Sequence, residues 1–164
     1  MYVKIHKVPG DGNCFYHAIC AHLSCMFKGT ARVVPSVHKL REQVAKLFDC
    51  VLDSKNKSFS ELRSYAMFYI QDANMTRAQY KKGIKTNMWA GPLEAILLSK
   101  ILRLRIQVFS KSDLKRSQKE RSLFVIKSEP LIDAGDKRRI AVALVLYGYD
   151  AALNMTGCHF DALF

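Results

Sequence analysis

The spacing of apolar residues changes near position 104, and this change constrains the fold more than any other feature of the sequence. Before it, apolar residues recur at helical spacing, and beyond it they alternate, which is typical of strands. The predicted helices cover 14–26, 37–52, 59–71, 75–82 and a segment that begins at Pro92, and the predicted strands cover 104–109, 122–127, 139–147 and 157–163. Helices that precede strands predict an α+β fold in which helices flank a central, mostly antiparallel sheet.

Length and composition fit a single domain over residues 1–164. Hydrophobic residues make up 49% of the chain, which is enough for a buried core and too much for a disordered chain. The sequence shows no apolar run long enough to span a bilayer and no signal-peptide core, so we expect a cytoplasmic monomer. The five cysteines are an odd number in a chain of this size, which favours free thiols over a disulfide framework.

The chain is strongly basic, with 26 Lys and Arg against 14 Asp and Glu residues and a formal net charge of +12. Such a charge attracts nucleic acids and other anions without specifying one of them. The basic residues are scattered, and their densest stretch, 111–121, is interpreted as a loop. A solvated basic surface is therefore the favoured interpretation. A nucleic-acid-binding domain, which would bind with a steep salt dependence, is the alternative.

Two distant segments together hold the residues that a thiol protease needs. Cys14 follows a glycine-rich turn and begins a predicted helix, where unpaired N–H groups favour a thiolate and can bind an oxyanion. His159 and Asp161 are two apart in a predicted strand, so they share a face and Asp161 can orient the imidazole. Phe160 then points into the core. Either segment alone is more often structural, and their combination predicts a papain-like cysteine protease.

These segments also resemble the motifs of the ovarian-tumour (OTU) deubiquitinases. The stretch 9–19, PGDGNCFYHAI, is similar to the nucleophile motif of that family, and the stretch 87–95, NMWAGPLEA, is similar to its central tryptophan motif. The hydrophobic strand 106–109 follows at the expected distance, and 159–163, HFDAL, is similar to the histidine motif. The resemblance is closest to viral, nairovirus-type OTU proteases and extends over nearly the whole chain. It implies a papain-like OTU fold with the nucleophile at a helix N-terminus.

The resemblance implies a role for each motif residue. Cys14 corresponds to the nucleophile, His159 to the general base and Asp161 to the acid that orients the base. Asp11 corresponds to the residue that shapes the oxyanion loop and Trp89 to an aromatic residue of the groove. Asp is also a common turn residue, however, and Trp a common core residue. The other residues assigned to substrate or oxyanion binding are Gly12, Asn13 and Phe160.

The same resemblance implies an isopeptidase that cleaves the C-terminal Gly-Gly linkage of ubiquitin or a ubiquitin-like protein, without a cofactor or metal. For a viral protein it also implies the host cytoplasm as location and antagonism of host ubiquitin signalling. The chain ends just after the histidine motif, which fits either excision from a polyprotein or a very compact domain. For a viral protein, a polyprotein-processing protease is one alternative. A non-catalytic ubiquitin-binding module is another, but the retained catalytic residues argue against it.

Acidic residues bear on whether ubiquitin is the substrate. The ubiquitin tail contains arginines, and a groove that binds them usually offers carboxylates. With only 14 acidic residues in the chain, the candidates for this role are Glu61, Asp72 and Glu94.

A metal site is the remaining alternative. Four side chains that can ligate a metal lie close together in the first predicted helix: His17, Cys20, His22 and Cys25. They share a helix face only in part, and no second ligand pair with zinc-site spacing follows. We therefore expect no metal. Packing is the role expected for His17, Cys20 and Cys25, and a place in the core is expected for Cys50.

Overall fold

The computed structural model describes residues 2–117, 120, 122–126, 128–147 and 159–164, and this part of the chain contains five α-helices. They are α1 (Cys14–Phe27), α2 (Val37–Asp53), α3 (Ser60–Asp72), α4 (Arg77–Lys85) and α5 (Pro92–Leu102). Short 3-10 helices cover Lys57–Phe59 and Lys111–Asp113. All five predicted helices are confirmed. Within the described residues, no helix has the length and apolar character needed to cross a membrane.

Local sequence explains where two of the helices begin. Thr76 and Gln79 form a reciprocal capping box at the start of α4, in which each side chain accepts a hydrogen bond from the other residue's N–H. Pro92 occupies the first turn of α5, where Glu94 accepts a hydrogen bond of 2.7 Å from the N–H of Gly91. These contacts satisfy N–H groups that a helix start leaves without a partner.

The described strands form two sheets. They are β1 (Tyr2–Val3), β2 (Ile5–His6), β3 (Arg105–Ser110), β4 (Leu114–Arg116), β5 (Phe124–Ile126), β6 (Ile132–Ala134), β7 (Ala141–Tyr147) and β8 (His159–Leu163). The main sheet has the order β2-β8-β7-β3-β6, and the smaller sheet has the order β1-β5-β4. All neighbours pair antiparallel except β3 and β7, which run parallel. The α+β fold with a mostly antiparallel central sheet is therefore confirmed.

Four strands were not predicted from the sequence: β1, β2, β4 and β6. Each has only two or three residues, which is too short to show an alternating pattern. The stretch 111–121, interpreted as a loop, contains both a 3-10 helix and β4. The predicted strand 157–163 begins outside the described residues, and its described part is β8.

Packing between α1 and the main sheet positions the site. Helix α1 lies against β8 and β7, and its Phe15 ring is 5.3 Å from the Phe160 ring of β8, measured between centroids. Both rings are buried, together with Ile19 and Leu144. Because Phe15 follows Cys14 and Phe160 follows His159, this contact brings the start of α1 beside the start of β8.

Candidate active site

Cys14 is the first residue of α1, and its side chain is buried. Burial raises the pKa of the Cys14 thiol, and the negative charge of Asp11 acts in the same direction. The backbone N–H groups of Phe160, Phe15 and Cys14 itself lower this pKa but do not outweigh burial. The helix start therefore lowers the pKa of Cys14 as expected, but burial of the thiol at the same position outweighs this effect.

His159 and Asp161 form a hydrogen-bonded pair at the start of β8. The imidazole Nε2 is 2.9 Å from Asp161 Oδ1, and the Asp161 side chain has no exposed surface. A carboxylate only accepts, so Nε2 carries the hydrogen and Nδ1 remains free to take a proton. Nδ1 lies on the side of the glycine-rich turn, since a Cβ added to Gly10 would be 3.6 Å from it. Within the described residues, no hydrogen bond joins the imidazole to Cys14.

The charge of Asp161 is stabilised by its neighbours. Burial by itself would raise the pKa of the Asp161 carboxyl, but hydrogen bonds from Lys7, the Val8 N–H, His159 and Tyr147 hold that pKa below its usual value. The Val8 N–H donates to Oδ1 at 3.0 Å. Asp161 is therefore a buried anion, which suits it to orient an imidazole and to stabilise its protonated form.

The turn before Cys14 is held by Asp11 and Asn13. Asp11 Oδ1 accepts a hydrogen bond of 2.9 Å from the Asn13 N–H, and Asp11 Oδ2 lies 3.1 Å from His17 Nε2. Gly12 has a φ of +81°, a conformation that suits glycine. The Asn13 N–H is thus already engaged, which argues against its predicted role as an oxyanion donor. We assign Asp11 and Asn13 to closing the turn.

Arg41, in α2, holds the nucleophile turn in place by hydrogen bonds. The sequence motifs do not include this residue. Its guanidinium is buried and donates to Asn13 Oδ1 at 2.8 Å and to the Gly12 carbonyl at 3.2 Å. It also donates to the carbonyls of Ile84 at 2.8 Å and Met88 at 3.2 Å. Arg41 therefore links the nucleophile turn to the segment that leads to Trp89.

The aromatic ring of Tyr16 completes the surroundings of Arg41, whose guanidinium carbon lies 4.4 Å from the ring centroid. Arg41 follows Leu40 and shares the buried side of α2 with Val44 and Ala45. A charged residue among apolar helix positions is the signal that could have identified it, because such a charge needs several partners.

Replacing Arg41 with methionine should destabilise the fold by about 3 kcal/mol, because the buried acceptors of the turn and of the 84–88 segment lose their shared donor. The rate of cleavage should fall as well, since the turn would no longer hold Cys14 in place. Chemical denaturation and steady-state kinetics would measure both effects. Lys46→Met removes the same charge from an exposed position on α2 and serves as the control. Equal stability of the two variants would contradict the anchoring role.

Trp89 lies at a groove beside the histidine strand. Its side chain is 44% exposed, so the alternative that it is a core residue is wrong. The groove has a volume of about 270 Å³, and its lining includes Tyr69, Asp72, Pro92 and the buried ring of Phe160. This placement agrees with the expected role of Trp89 in a groove, and Phe160 contributes to the groove from within the core.

The three acidic candidates lie in different surroundings. Asp72 lines the groove beside Trp89. Glu94 is buried and accepts hydrogen bonds from Gly91 and Tyr80, and burial raises the pKa of its carboxyl. Glu61 lines a separate cavity between α3 and α5. Glu94 lines the same groove, but both of its carboxylate oxygens already accept hydrogen bonds, whereas Asp72 is exposed.

The candidate metal ligands of α1 have separate partners. His17 pairs with Asp11, the Cys20 thiol donates to the Pro35 carbonyl, and the His22 ring lies 2.8 Å from the Ala143 carbonyl oxygen. Among the described residues, no group of three or more His, Cys, Asp or Glu side chains could hold a metal ion.

The other cysteines differ in part from expectation. The described cysteines are free thiols, and both Cys25 and Cys50 are exposed, so their expected places in packing and in the core are wrong. His17, in the first turn of α1, pairs with Asp11 of the nucleophile turn instead of serving only for packing. Cys158 lies outside the described residues.

Comparisons with known proteins identify the family and the fold. Residues 9–143 match the family described as OTU-like cysteine protease. The fold is similar to the viral OTU domain protease from Dera Ghazi Khan virus, with a TM-score of 0.55, 18% identity, and coverage of 99% of this chain and 80% of that chain. An OTU deubiquitinase from Wolbachia pipientis gives a TM-score of 0.54 and 18% identity over 99% of this chain and 88% of that chain.

A third similar structure is the Hazara virus OTU bound to ubiquitin, with a TM-score of 0.50, 22% identity, and coverage of 99% of this chain and 81% of that chain. At these identities the structures show a shared fold, and no match was found among the curated proteins. The family match, by contrast, covers most of the sequence, from the nucleophile turn to β7. This chain belongs to the OTU-like cysteine proteases.

Proposed function

We propose that this protein is a thiol-dependent isopeptidase that cleaves ubiquitin, or a ubiquitin-like modifier, from lysine side chains. The observation that supports it most is the buried Asp161 carboxylate, which hydrogen-bonds His159 Nε2 and leaves Nδ1 on the side of the Cys14 turn. That arrangement suits a cysteine nucleophile with an oriented base. The choice of ubiquitin draws on the Hazara virus OTU, a neighbour in fold whose structure was solved bound to ubiquitin.

In the proposed reaction, His159 Nδ1 takes the thiol proton of Cys14 and the sulfur attacks the carbonyl carbon of the terminal glycine. The oxyanion lies near the backbone N–H groups at the start of α1, which already point toward the sulfur. The imidazolium then gives its proton to the lysine nitrogen, and the C–N bond breaks to leave a thioester. His159 next activates water, which releases the glycine carboxylate and restores the thiol.

The raised pKa of the Cys14 thiol gives this scheme a specific feature. A raised pKa favours the protonated thiol in the free enzyme, so the thiolate is a minor species until substrate binds. The absence of a hydrogen bond between the described side chains of Cys14 and His159 fits the same order of events. A substrate that excludes water and aligns the imidazole with the sulfur would form the reactive ion pair.

The groove beside Trp89 supports a peptide-tail substrate. It offers apolar side chains and one available carboxylate among the acidic candidates, Asp72. We propose that Asp72 faces an arginine of the substrate tail while Trp89 packs against its backbone. Glu94 cannot share this task, because its carboxylate already caps α5.

The experiment that tests the substrate is reaction with ubiquitin that bears a C-terminal electrophile. The wild-type protein should form one covalent adduct, visible as a mass increase equal to ubiquitin, located at Cys14. The Cys50→Ala variant is the matched control, since it removes an exposed thiol and should leave the adduct unchanged. If the wild type forms no adduct, ubiquitin is not the substrate, and electrophiles built on ubiquitin-like modifiers then identify the alternative.

Viral origin, antagonism of host ubiquitin signalling and processing of a polyprotein remain predictions of the sequence resemblance. The similar solved structures include viral and bacterial proteins, so they favour the enzyme class without choosing among these roles. The proposed reaction itself is the same for each of them.

A further inference from the structure

Lys7 lies next to the candidate catalytic pair, although it precedes the segment that matches the family. Its ammonium is 2.8 Å from Asp161 Oδ2 and donates a hydrogen bond of 3.1 Å to the Tyr147 hydroxyl. The family match starts at residue 9, and none of the motifs discussed above includes Lys7. Neither the family match nor the motifs therefore account for the contacts of Lys7.

The two oxygens of Asp161 have different partners. Oδ1 is hydrogen-bonded by His159 and by the Val8 N–H. Oδ2 is fully buried and lies 2.8 Å from the Lys7 ammonium, which lowers the pKa of this carboxyl more than the Tyr147 hydroxyl does. Burying a carboxylate oxygen without a hydrogen bond or a nearby positive charge costs free energy, so such a carboxylate rotates toward any available donor. Lys7 thus opposes rotation of the carboxylate away from His159.

The backbone holds Lys7 in register with the histidine strand. Strand β2 pairs antiparallel with β8, with Ile5 opposite Leu163 and His6 opposite Ala162. The next residues, Lys7 and Val8, therefore run alongside the start of β8. Because Val8 donates its N–H to Asp161, both residues approach the carboxylate from this single segment.

The remaining titratable groups near Asp161 come from two further elements. Tyr147 ends β7, and its ring centroid is 5.9 Å from that of His159. Lys111, in the 3-10 helix after β3, is close enough for Asp161 to favour its charge. Lys7 also lies 4.4 Å from the Tyr147 ring centroid, so it contacts both groups that flank the imidazole, Asp161 and Tyr147.

We propose that Lys7 is a positioning residue that holds the Asp161 carboxylate in the orientation that aligns His159 for catalysis. The proposal rests on the active site described above. An exposed salt bridge between two surface residues usually contributes little. This pair differs because Asp161 is entirely buried while the Lys7 side chain is 71% exposed, so the cation holds an anion that has no access to water.

The test compares Lys7→Met with Lys7→Arg and with the control Lys4→Met. Lys4 lies on the same segment, is similarly exposed, and is 3.9 Å from its partner Glu120, so its replacement changes the net charge equally. With a fluorogenic ubiquitin C-terminal substrate, Lys7→Met should lower kcat about fivefold to tenfold with little change in KM, because alignment and not binding is impaired. Lys7→Arg should retain most of kcat, and Lys4→Met should match the wild type.

Two outcomes would overturn the proposal. Equal kinetics of Lys7→Met and Lys4→Met would show that the pair is an inert surface contact. A raised KM with unchanged kcat would show that Lys7 binds substrate instead of positioning Asp161.

Alkylation by iodoacetamide keeps this test independent of the substrate. The rate of Cys14 modification at neutral pH should fall severalfold in Lys7→Met and remain unchanged in Lys4→Met, because the aligned imidazole assists ionisation of the thiol. A wild type that is alkylated at Cys14 but does not cleave ubiquitin would contradict the substrate alone. Equal alkylation of both variants would contradict the role of Lys7 alone.

Discussion

The Cys14→Ala variant is expected to lose cleavage of a ubiquitin C-terminal substrate, with kcat/KM reduced at least about a thousandfold. Alanine cannot form the thioester, and no other described cysteine lies at the start of α1 beside His159. Because Cys14 is buried and alanine is smaller and apolar, the variant should fold and still bind ubiquitin. A fluorogenic cleavage assay and a binding titration with ubiquitin measure the two properties on one sample.

Cys50→Ala and Cys25→Ala are the controls, since both thiols are exposed and lie outside the nucleophile turn. They should keep wild-type kinetics. Cleavage that survives Cys14→Ala would reject the thiol mechanism. Loss of cleavage together with loss of ubiquitin binding would place Cys14 in recognition, which its buried position does not support.

The helices were predictable from sequence because their apolar residues recur at helical spacing, and some of them also have a local start signal. In α2, buried Leu40, Val44 and Val51 recur at helical spacing after Ser36, which caps the helix. Strands β1, β2, β4 and β6 lack such signals, because their pairing depends on partners far away in the chain. The parallel contact between β3 and β7 likewise follows from the connection between them and not from either strand's pattern.

The pairing of His159 with Asp161 could be predicted, since alternation along a strand fixes which side chains share a face. The long-range contacts that hold the site residues in place could not be predicted from the sequence. Arg41 acts through carbonyls 29 to 47 residues away in sequence, and Lys7 reaches Asp161 across 154 positions. No local pattern records such contacts, because they arise only when irregular segments come together in the folded chain.

The thiol illustrates how a correct local principle can be outweighed. The N–H groups at the start of α1 do lower the pKa of Cys14, as expected for a helix start. The packing of α1 against β8, which brings Cys14 beside His159, also buries the thiol and raises the same pKa. The sequence motif identifies the nucleophile, whereas its protonation state follows from packing of the whole domain.

Replacing Asp161 with asparagine should lower kcat by about a hundredfold to a thousandfold with little change in KM. The amide keeps the shape of the side chain but loses the charge that fixes the imidazole hydrogen on Nε2 and stabilises the imidazolium. Steady-state kinetics measure this effect. Asp53→Asn is the control, because it removes a carboxylate from an exposed position at the end of α2 and should not change kcat.

The stability of Asp161→Asn relative to the wild type should also depend on pH. Because folding lowers the pKa of Asp161, its ionisation stabilises the protein above the ordinary value of 3.8, and this contribution is lost as the pH falls below it. The difference in the free energy of unfolding between wild type and Asp161→Asn should therefore shrink in acid. Chemical denaturation near neutral pH and near pH 3 would measure that change.

Unchanged turnover in Asp161→Asn would mean that another group orients His159. The nucleophile turn offers Asp11 and Asn13 as substitutes, but both are already engaged. The Asp11 carboxylate accepts a hydrogen bond from the Asn13 N–H and pairs with His17, and the Asn13 side chain accepts a hydrogen bond from Arg41. Either residue could reach the imidazole only by opening the turn that positions Cys14. We therefore expect the loss of kcat to persist in Asp161→Asn, and a second substitution at Asp11 should not restore it.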